Sequence, residues 1–306
     1  MSETPLIDPT KLERLLKRTD ALPSCPLVFQ KINEIVRDES STARDLGRVI
    51  ATDEALTSRL IQIVNSAYYG LRGTISTVTQ AVVILGFQEI KRIVYAVPAA
   101  DLFRQSEVDG GIDVMGLWLH SLRVAVGARE FAYRARLAIP EETFVAGIIH
   151  DIGQVILNRL VGPAYAEFGA RARAEGADLA AAEEAAFGIS HAEVGRRLAK
   201  NWDFPELLQD AVRWHHGPLG DRELPDVVHM VHAANVLVNE AARGVAPADA
   251  VASVEPAAIE RLDLNRGSAE EVFGRAEEEF ARMREMFRIA GPDDETIEIP
   301  SPGRVE

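Results

Sequence analysis

The chain has 306 residues, 47% hydrophobic and 26% charged, a balance that excludes global disorder and fibrous classes and fits one large domain or two modest ones. Its formal net charge of −14 argues against a general nucleic-acid binder, because each phosphate contact wants a cation. The acidity is uneven: residues 270–306 hold 11 acids against 5 bases and residues 1–105 hold 12 against 13, so only the N-terminal part has room for a basic patch. No apolar run approaches the ~20 residues of a membrane helix. Met1-Ser2-Glu3-Thr4 opens no secretory signal, and the single Cys25 suits a reducing compartment. A soluble cytoplasmic protein with no membrane segment is expected.

The apolar spacing is helical almost throughout, without strand alternation. Asp8-Pro9 opens a short helix with Leu12, Leu15 and Leu16 on one face, and Leu22-Pro23-Ser24-Cys25-Pro26 breaks it. A second helix carries Val28, Ile32, Ile35 and Val36. Thr42 caps a third, and Asp53 caps a fourth that runs to about Val64. Tyr68-Tyr69-Gly70 leads to two more helices, broken near Gly86. After a linker at residues 106–111, a long amphipathic helix spans Asp113 to about Leu137, and Pro140-Glu141-Glu142 starts another with an acidic first turn. The Ala-rich stretch from Ala177 to Ala186 reads as good helix former and nothing more. Ser190-His191-Ala192-Glu193 is a capping box, Pro205 starts a helix ending at His215-His216, and Pro225 to about Ala242 is helical again. The last helix, about Ser268 to Ile289, spaces Phe273, Ala276, Phe280, Met283 and Phe287 as an apolar stripe. That stripe packs on its own domain or serves as a dimerising or partner face through Phe273, Phe280 and Phe287.

Six of the seven histidines fall at suggestive places: His120 mid-helix, His150 beside Asp151 at a helix break, His191 in a capped first turn, His215-His216 at a helix end, and His232 three residues before Asn235. Imidazole and carboxylate suit borderline divalent metals such as Fe, Mn, Zn, Co or Ni. Helical folds collect such ligands one or two per helix in their cores. Each residue also has an ordinary reading. His120 could be a core histidine, His191 a surface residue of a first turn, and Asp151 a helix cap. His215 and His216 would lie about 100° apart on a helix, so only one should point inward. His229 and His232 read as structural or surface residues.

Residues 22 to about 217 resemble the HDOD domain, a bacterial signalling relative of the HD metal-dependent phosphohydrolases. The resemblance is carried by Leu22-Pro23 with Pro26, Asp53-Glu54-Ala55-Leu56, Asn65-Ser66-Ala67-Tyr68-Tyr69-Gly70 and Ala81-Val82-Val83-Ile84-Leu85-Gly86. It continues through Trp118-Leu119-His120-Ser121, Ala146 to Gln154 with its His150-Asp151-Ile152-Gly153 core, His191-Ala192-Glu193-Val194-Gly195, Trp202-Asp203-Phe204-Pro205-Glu206 and Trp214-His215-His216. It implies an all-α, multi-helix HD-like domain with an N-terminal helical lobe and a C-terminal helical extension. The expected units are an N-terminal helix (1–21) and the HDOD domain (22–217, with a lobe at 22–105 and an HD-like lobe at 112–217). Helices at 218–290 complete the HD-like lobe, and 291–306 form a disordered acidic tail.

The resemblance also implies site positions. His120, His150, Asp151 and position 235 match the first-metal ligands of catalytic HD proteins. His191, His215 and His216 match second-metal histidines of the HD-GYP relatives that cleave cyclic-di-GMP. Two departures weaken catalysis. Position 235 is Asn, a neutral carbonyl in place of a carboxylate, and position 154 is Gln where HD-GYP proteins carry a phosphate-facing Lys. No Gly-Tyr-Pro follows His216. The leading expectation is a catalytically inactive signalling module that works through protein contacts and can hold a divalent metal. The alternative is a phosphohydrolase acting on a nucleotide or cyclic dinucleotide. No receiver, cyclase or kinase domain is read in the chain, so a separate signalling protein or small ligand is expected as input. Nucleic acid is not an expected partner.

Overall fold

The computed structural model describes residues 41–106, 108–137, 140–220 and 222–289, with Lys31 and Ile35. The two helices expected before Thr42, Cys25 and the acidic tail lie outside the described residues. Among those described, every regular element is helical.

The first elements begin where side chains can satisfy the free N–H groups of a helix start. Helix α1 (Ala43–Ile50) opens on a capping box between Thr42 and Asp45, and α2 (Glu54–Val64) on the Asp53 carboxylate, which accepts from Leu56 N at 2.9 Å. Helices α3 (Val78–Leu85) and α4 (Phe87–Arg104) are separated by Gly86, whose φ of +87° only glycine adopts without strain. These four pack together, and α4 also lies against the long α5 (Val114–Arg134) and against α6 (Pro140–Ile149). The chain continues through α7 (Ile152–Val161), α8 (Pro163–Ala174), α9 (Leu179–Phe187), α10 (His191–Asn201), α11 (Glu206–Trp214) and α12 (Asp226–Ala242). Short helices α13 (Pro247–Ala250) and α14 (Pro256–Leu262) lead to α15 (Arg266–Ile289).

One connected set of buried apolar residues runs from Leu46 to Met283. Close helix approach is built on glycine. A Cβ on Gly147 of α6 would stand 2.4 Å from Ala125 Cα of α5, and one on Gly153 of α7 would stand 1.9 Å from the His191 carbonyl oxygen of α10. Glycine here gives the room that lets the backbones of neighbouring helices nearly touch.

The structure bears on two further expectations. Pro140–Val161 is, by length and composition, apolar enough to cross a membrane, with a mean hydropathy of 1.3. It is nonetheless a pair of core helices that breaks at His150-Asp151, and 83% of its apolar window is buried in protein. Of the α15 stripe, the described part packs on α5, the first of the two alternatives: Phe280 is 4% exposed with the Arg123 guanidinium 4.3 Å from its ring centre, Met283 is fully buried and Phe273 is half-buried. The Phe287 side chain lies outside the described residues. Phe280→Asp should therefore lower unfolding free energy by about 3–5 kcal/mol, the usual cost of emptying a buried aromatic site. Denaturant melts and light scattering should show that loss with no change in oligomeric mass.

Candidate metal centre

Seven polar side chains meet where α5, α6, α7, α10, α11 and α12 converge. His120 comes from the middle of α5, His150 and Asp151 from the break between α6 and α7, and His191 from the first residue of α10. His215 and His216 follow α11, and Asn235 comes from α12. Asp151 sits at the N-terminus of α7 but makes no capping hydrogen bond, so its carboxylate is free for the centre. His215 and His216 both turn inward, against the expectation that only one could. The helix ends at Trp214, so the 100° rule no longer applies, and the two ring centres lie 4.3 Å apart.

Asp151 is the hub. Its Oδ2 lies 3.3 Å from His150 Nε2 and 3.6 Å from His120 Nε2, while Oδ1 lies 3.2 Å from His191 Nε2 and 3.3 Å from His215 Nε2. His191 Nε2 in turn stands 3.2 Å from His215 Nε2 and 3.1 Å from His216 Nε2. Asn235 Oδ1 approaches His120 Nε2 at 3.1 Å and accepts from Asn239 Nδ2 at 2.9 Å. The donors thus fall into two groups that could each hold a metal ion and that share one carboxylate: His120, His150 and Asp151, and Asp151, His191, His215 and His216.

The far ring nitrogens decide what the near ones can do. His150 Nδ1 donates to Gly147 O at 2.7 Å and His215 Nδ1 donates to Val212 O at 2.8 Å. A carbonyl can only accept, so in the neutral ring the proton sits on Nδ1 and Nε2 presents a lone pair. Burial pushes the His215 pKa well below the usual value, so that ring is neutral. The His215 lone pair therefore faces a carboxylate, and buried His150 Nε2 and Asp151 Oδ1 have no aligned hydrogen-bond partner. Such an arrangement is stable when a cation lies among the donors. Donors held about 2.0–2.1 Å from one ion at tetrahedral angles stand about 3.3 Å apart, and four of the donor pairs in the His191 half stand 3.1–3.3 Å apart. The residues fit a divalent metal.

Neighbouring groups tune the centre. Burial works to lower the His191 pKa, but the charges of Glu183 and Asp151 and the hydrogen bond to Glu183 outweigh it and raise it to about 10. Burial would also raise the Asp151 carboxyl, yet the adjacent imidazoles, His150 foremost, hold it well below the usual range. Burial lowers His120 to about 4.

Sequence reasoning missed Glu183. This fully buried residue of α9 accepts from His191 N at 2.6 Å, from His191 Nδ1 at 2.7 Å and from the Tyr165 hydroxyl at 2.5 Å. The available signal was an acid on the apolar face that Ala180 and Phe187 define. The Ser190 cap is half a box: its hydroxyl accepts from Glu193 N at 3.4 Å, while the Glu193 carboxylate binds Arg196, Arg197 and Arg213. His232 is structural, as read: its Nδ1 donates to His215 O at 2.9 Å and its Nε2 accepts from Glu255 N at 3.1 Å. His229 is buried on α12, and no metal-ligand group among the described residues includes it.

His120, Asp151, Gln154, His215, His216 and Asn235 line a cavity of about 500 Å³. Around them stand Asp113, Asp178, Glu240 and Glu255, against the two cations Arg173 and Arg243.

A family model for the HDOD domain matches residues 22–218. The chain belongs to the HDOD family. Among solved structures, an HDOD domain protein of unknown function from Geobacter sulfurreducens is similar over 95% of this chain and 98% of its own, with TM-score 0.74 and 25% identity. A Shewanella amazonensis SB2B protein named "Putative phosphohydrolase" matches 89% of this chain and 97% of its own, with TM-score 0.70 and 25% identity. A Marinobacter aquaeolei VT8 protein named "Putative signal transduction protein" has the same fold, with TM-score 0.72 at 22% identity over 92% of this chain and 65% of that one. An uncharacterized Treponema pallidum protein is 22% identical over 223 residues, 72% of this HDOD chain. The HDOD chain spans 43% of that relative's length, and 19% of the length of the Bacillus subtilis protein YuxH, to which it is 30% identical over 77 residues.

Proposed function

We propose that this HDOD chain is a signal-transduction module that acts through contacts with a partner protein, holds a divalent metal in its buried His/Asp centre and does not hydrolyse phosphodiesters. The observation that carries this reading is Asn235 Oδ1 standing 3.1 Å from His120 Nε2, where a hydrolase of this architecture would need a charged ligand. A carboxylate there helps a metal keep its grip on the protein while polarising a water. Gln154, which also lines the cavity, offers no cation, and the surrounding acids outnumber the bases, so a phosphodiester would meet repulsion. When bound, the metal would supply Lewis acidity and positive charge, and the residues placed to hold it are Asp151, His191, His215 and His216, with His120 and His150 on the second side. The input is a separate signalling protein or a small ligand of the cavity, and the chain's place is the cytoplasm.

The phosphohydrolase reading draws on the otherwise complete donor set, so the test separates the two. Protein loaded with Mn²⁺ or Fe²⁺ should turn over neither cyclic-di-GMP nor bis(p-nitrophenyl) phosphate faster than its His150→Ala and Asp151→Ala variants. The double variant Asn235→Asp, Gln154→Lys should bind metal more tightly yet stay near background, because productive catalysis needs its groups held within about 0.5 Å by a supporting shell. Wild-type turnover that disappears in both single variants would make the protein an enzyme.

A further inference from the structure

The two halves of the centre differ in what stands behind them. All three imidazoles of the Asp151, His191, His215, His216 half are anchored through Nδ1: His191 on Glu183 at 2.7 Å, His215 on the Val212 carbonyl at 2.8 Å and His216 on Asp178 at 3.2 Å. Both supporting carboxylates belong to α9, the helix whose Ala-rich sequence looked featureless. Asp178 caps its N-terminus, with one oxygen accepting from Ala181 N at 2.8 Å, and Glu183 lies one and a half turns further on, with the Tyr165 hydroxyl on its second oxygen. A dication in this half would have the Asp151 carboxylate as a ligand and two more carboxylates one imidazole away. The His120, His150 half shares the Asp151 charge and otherwise has only neutral groups, the Gly147 carbonyl behind His150 Nδ1 at 2.7 Å and the Asn235 carbonyl. Its Nε2–Oδ2 distances are 3.3 and 3.6 Å, against 3.2 and 3.3 Å from Asp151 Oδ1 to His191 and His215, with His216 reached through His191 at 3.1 Å.

We propose that the centre is unequal by construction: one borderline divalent ion resides in the Asp151, His191, His215, His216 half, with α9 as its positioning helix. A second ion enters the His120, His150 half only at much higher concentration. This reverses the order suggested by the family motif and rests on the metal-binding reading above. Three imidazoles and one carboxylate select Zn²⁺, Co²⁺, Fe²⁺ or Ni²⁺ over Mg²⁺ and Ca²⁺, which take oxygen ligands. An ion already bound on Asp151 Oδ1 repels a second on Oδ2. Glu183 and Asp178 orient the ligands and raise their basicity without touching the ion. Outer partners of this kind change metal affinity by about 10–100-fold.

The test titrates chelator-stripped full-length protein with Co²⁺, followed by calorimetry and by the visible d–d bands of the bound ion. The expected result is one tight equivalent. His216→Ala should weaken it more than 100-fold, Glu183→Gln by 10–100-fold and Tyr165→Phe by a few fold, while His120→Ala leaves it within threefold. Far-UV circular dichroism and a thermal melt of each variant separate loss of metal from loss of fold, and the isosteric Glu183→Gln and Tyr165→Phe keep the test open if His216→Ala unfolds. Two equal equivalents, or a tight equivalent lost in His120→Ala and kept in His216→Ala, would overturn the proposal. Wild type that binds no Co²⁺ would remove the metal reading itself, a result distinct from binding in the wrong half.

Discussion

Asp151→Asn should abolish the rise in thermal stability that Zn²⁺ or Co²⁺ gives the wild-type protein. Asp151 is 4% exposed, and each of its oxygens faces two imidazole nitrogens at 3.2–3.6 Å, so it is the only side chain both half-sites share. Asn has the same shape but no charge, and one of its two atoms becomes an N–H₂ that cannot bind a cation. An ion present at about 1,000 times its Kd adds about 4 kcal/mol to folding stability. At about 2 °C per kcal/mol for a chain of this size, that is a rise of about 8 °C. Scanning fluorimetry with added metal and with EDTA should show this rise in wild type and none in Asp151→Asn. A variant whose melt still climbs with metal would show that the ion binds elsewhere and that the hub assignment is wrong.

Gly153→Ala should cost about 3 kcal/mol or more and empty the centre. The new methyl group would stand 1.9 Å from the His191 carbonyl oxygen and 2.8 Å from Gly195 N. Both are backbone atoms, so no rotamer change relieves the clash. Helices α7 and α10 must move apart, carrying His191 away from Asp151. The matched control is Gly274→Ala on the exposed side of α15, where a Cβ would meet nothing within 4 Å. That change should stabilise by about 0.5–1 kcal/mol, since Ala loses less backbone freedom than Gly in a helix. Urea unfolding of the two variants reads both signs. A Gly153→Ala protein as stable as wild type would mean that the α7–α10 contact does not hold the site.

Helix positions were legible in the chain because they depend on neighbours in sequence. Thr42, Asp53 and Ser190 cap where their spacing says they should, a long helix starts at Asp113, Gly86 breaks α3 from α4, and Pro140 opens α6. The candidate ligands were legible for the same reason: His150-Asp151 marks a helix break, and the separate histidines stand beside recognisable family motifs. Ranking them was not. The sequence put His120, His150 and Asp151 first, whereas the tertiary structure surrounds His191, His215 and His216 with Glu183, Asp178 and the Val212 carbonyl. Glu183 lies eight residues from His191 along the chain but contacts its ring because α9 and α10 fold back on each other.

The amino-acid sequence by itself determined the all-helical architecture, the HDOD membership and the residue types able to bind a metal, since each follows from local periodicity, caps and ordered motifs. Only the tertiary structure decided which face of α15 is core, that both His215 and His216 turn inward, and that one carboxylate lies 3.2–3.6 Å from four imidazoles. Those features depend on how closely helices approach across the chain, as at Gly153 against His191, and on which ring nitrogen finds a partner behind it. Neither distance nor second-sphere hydrogen bonding leaves a periodic trace in sequence, because the partners come from different helices whose spacing is set by packing.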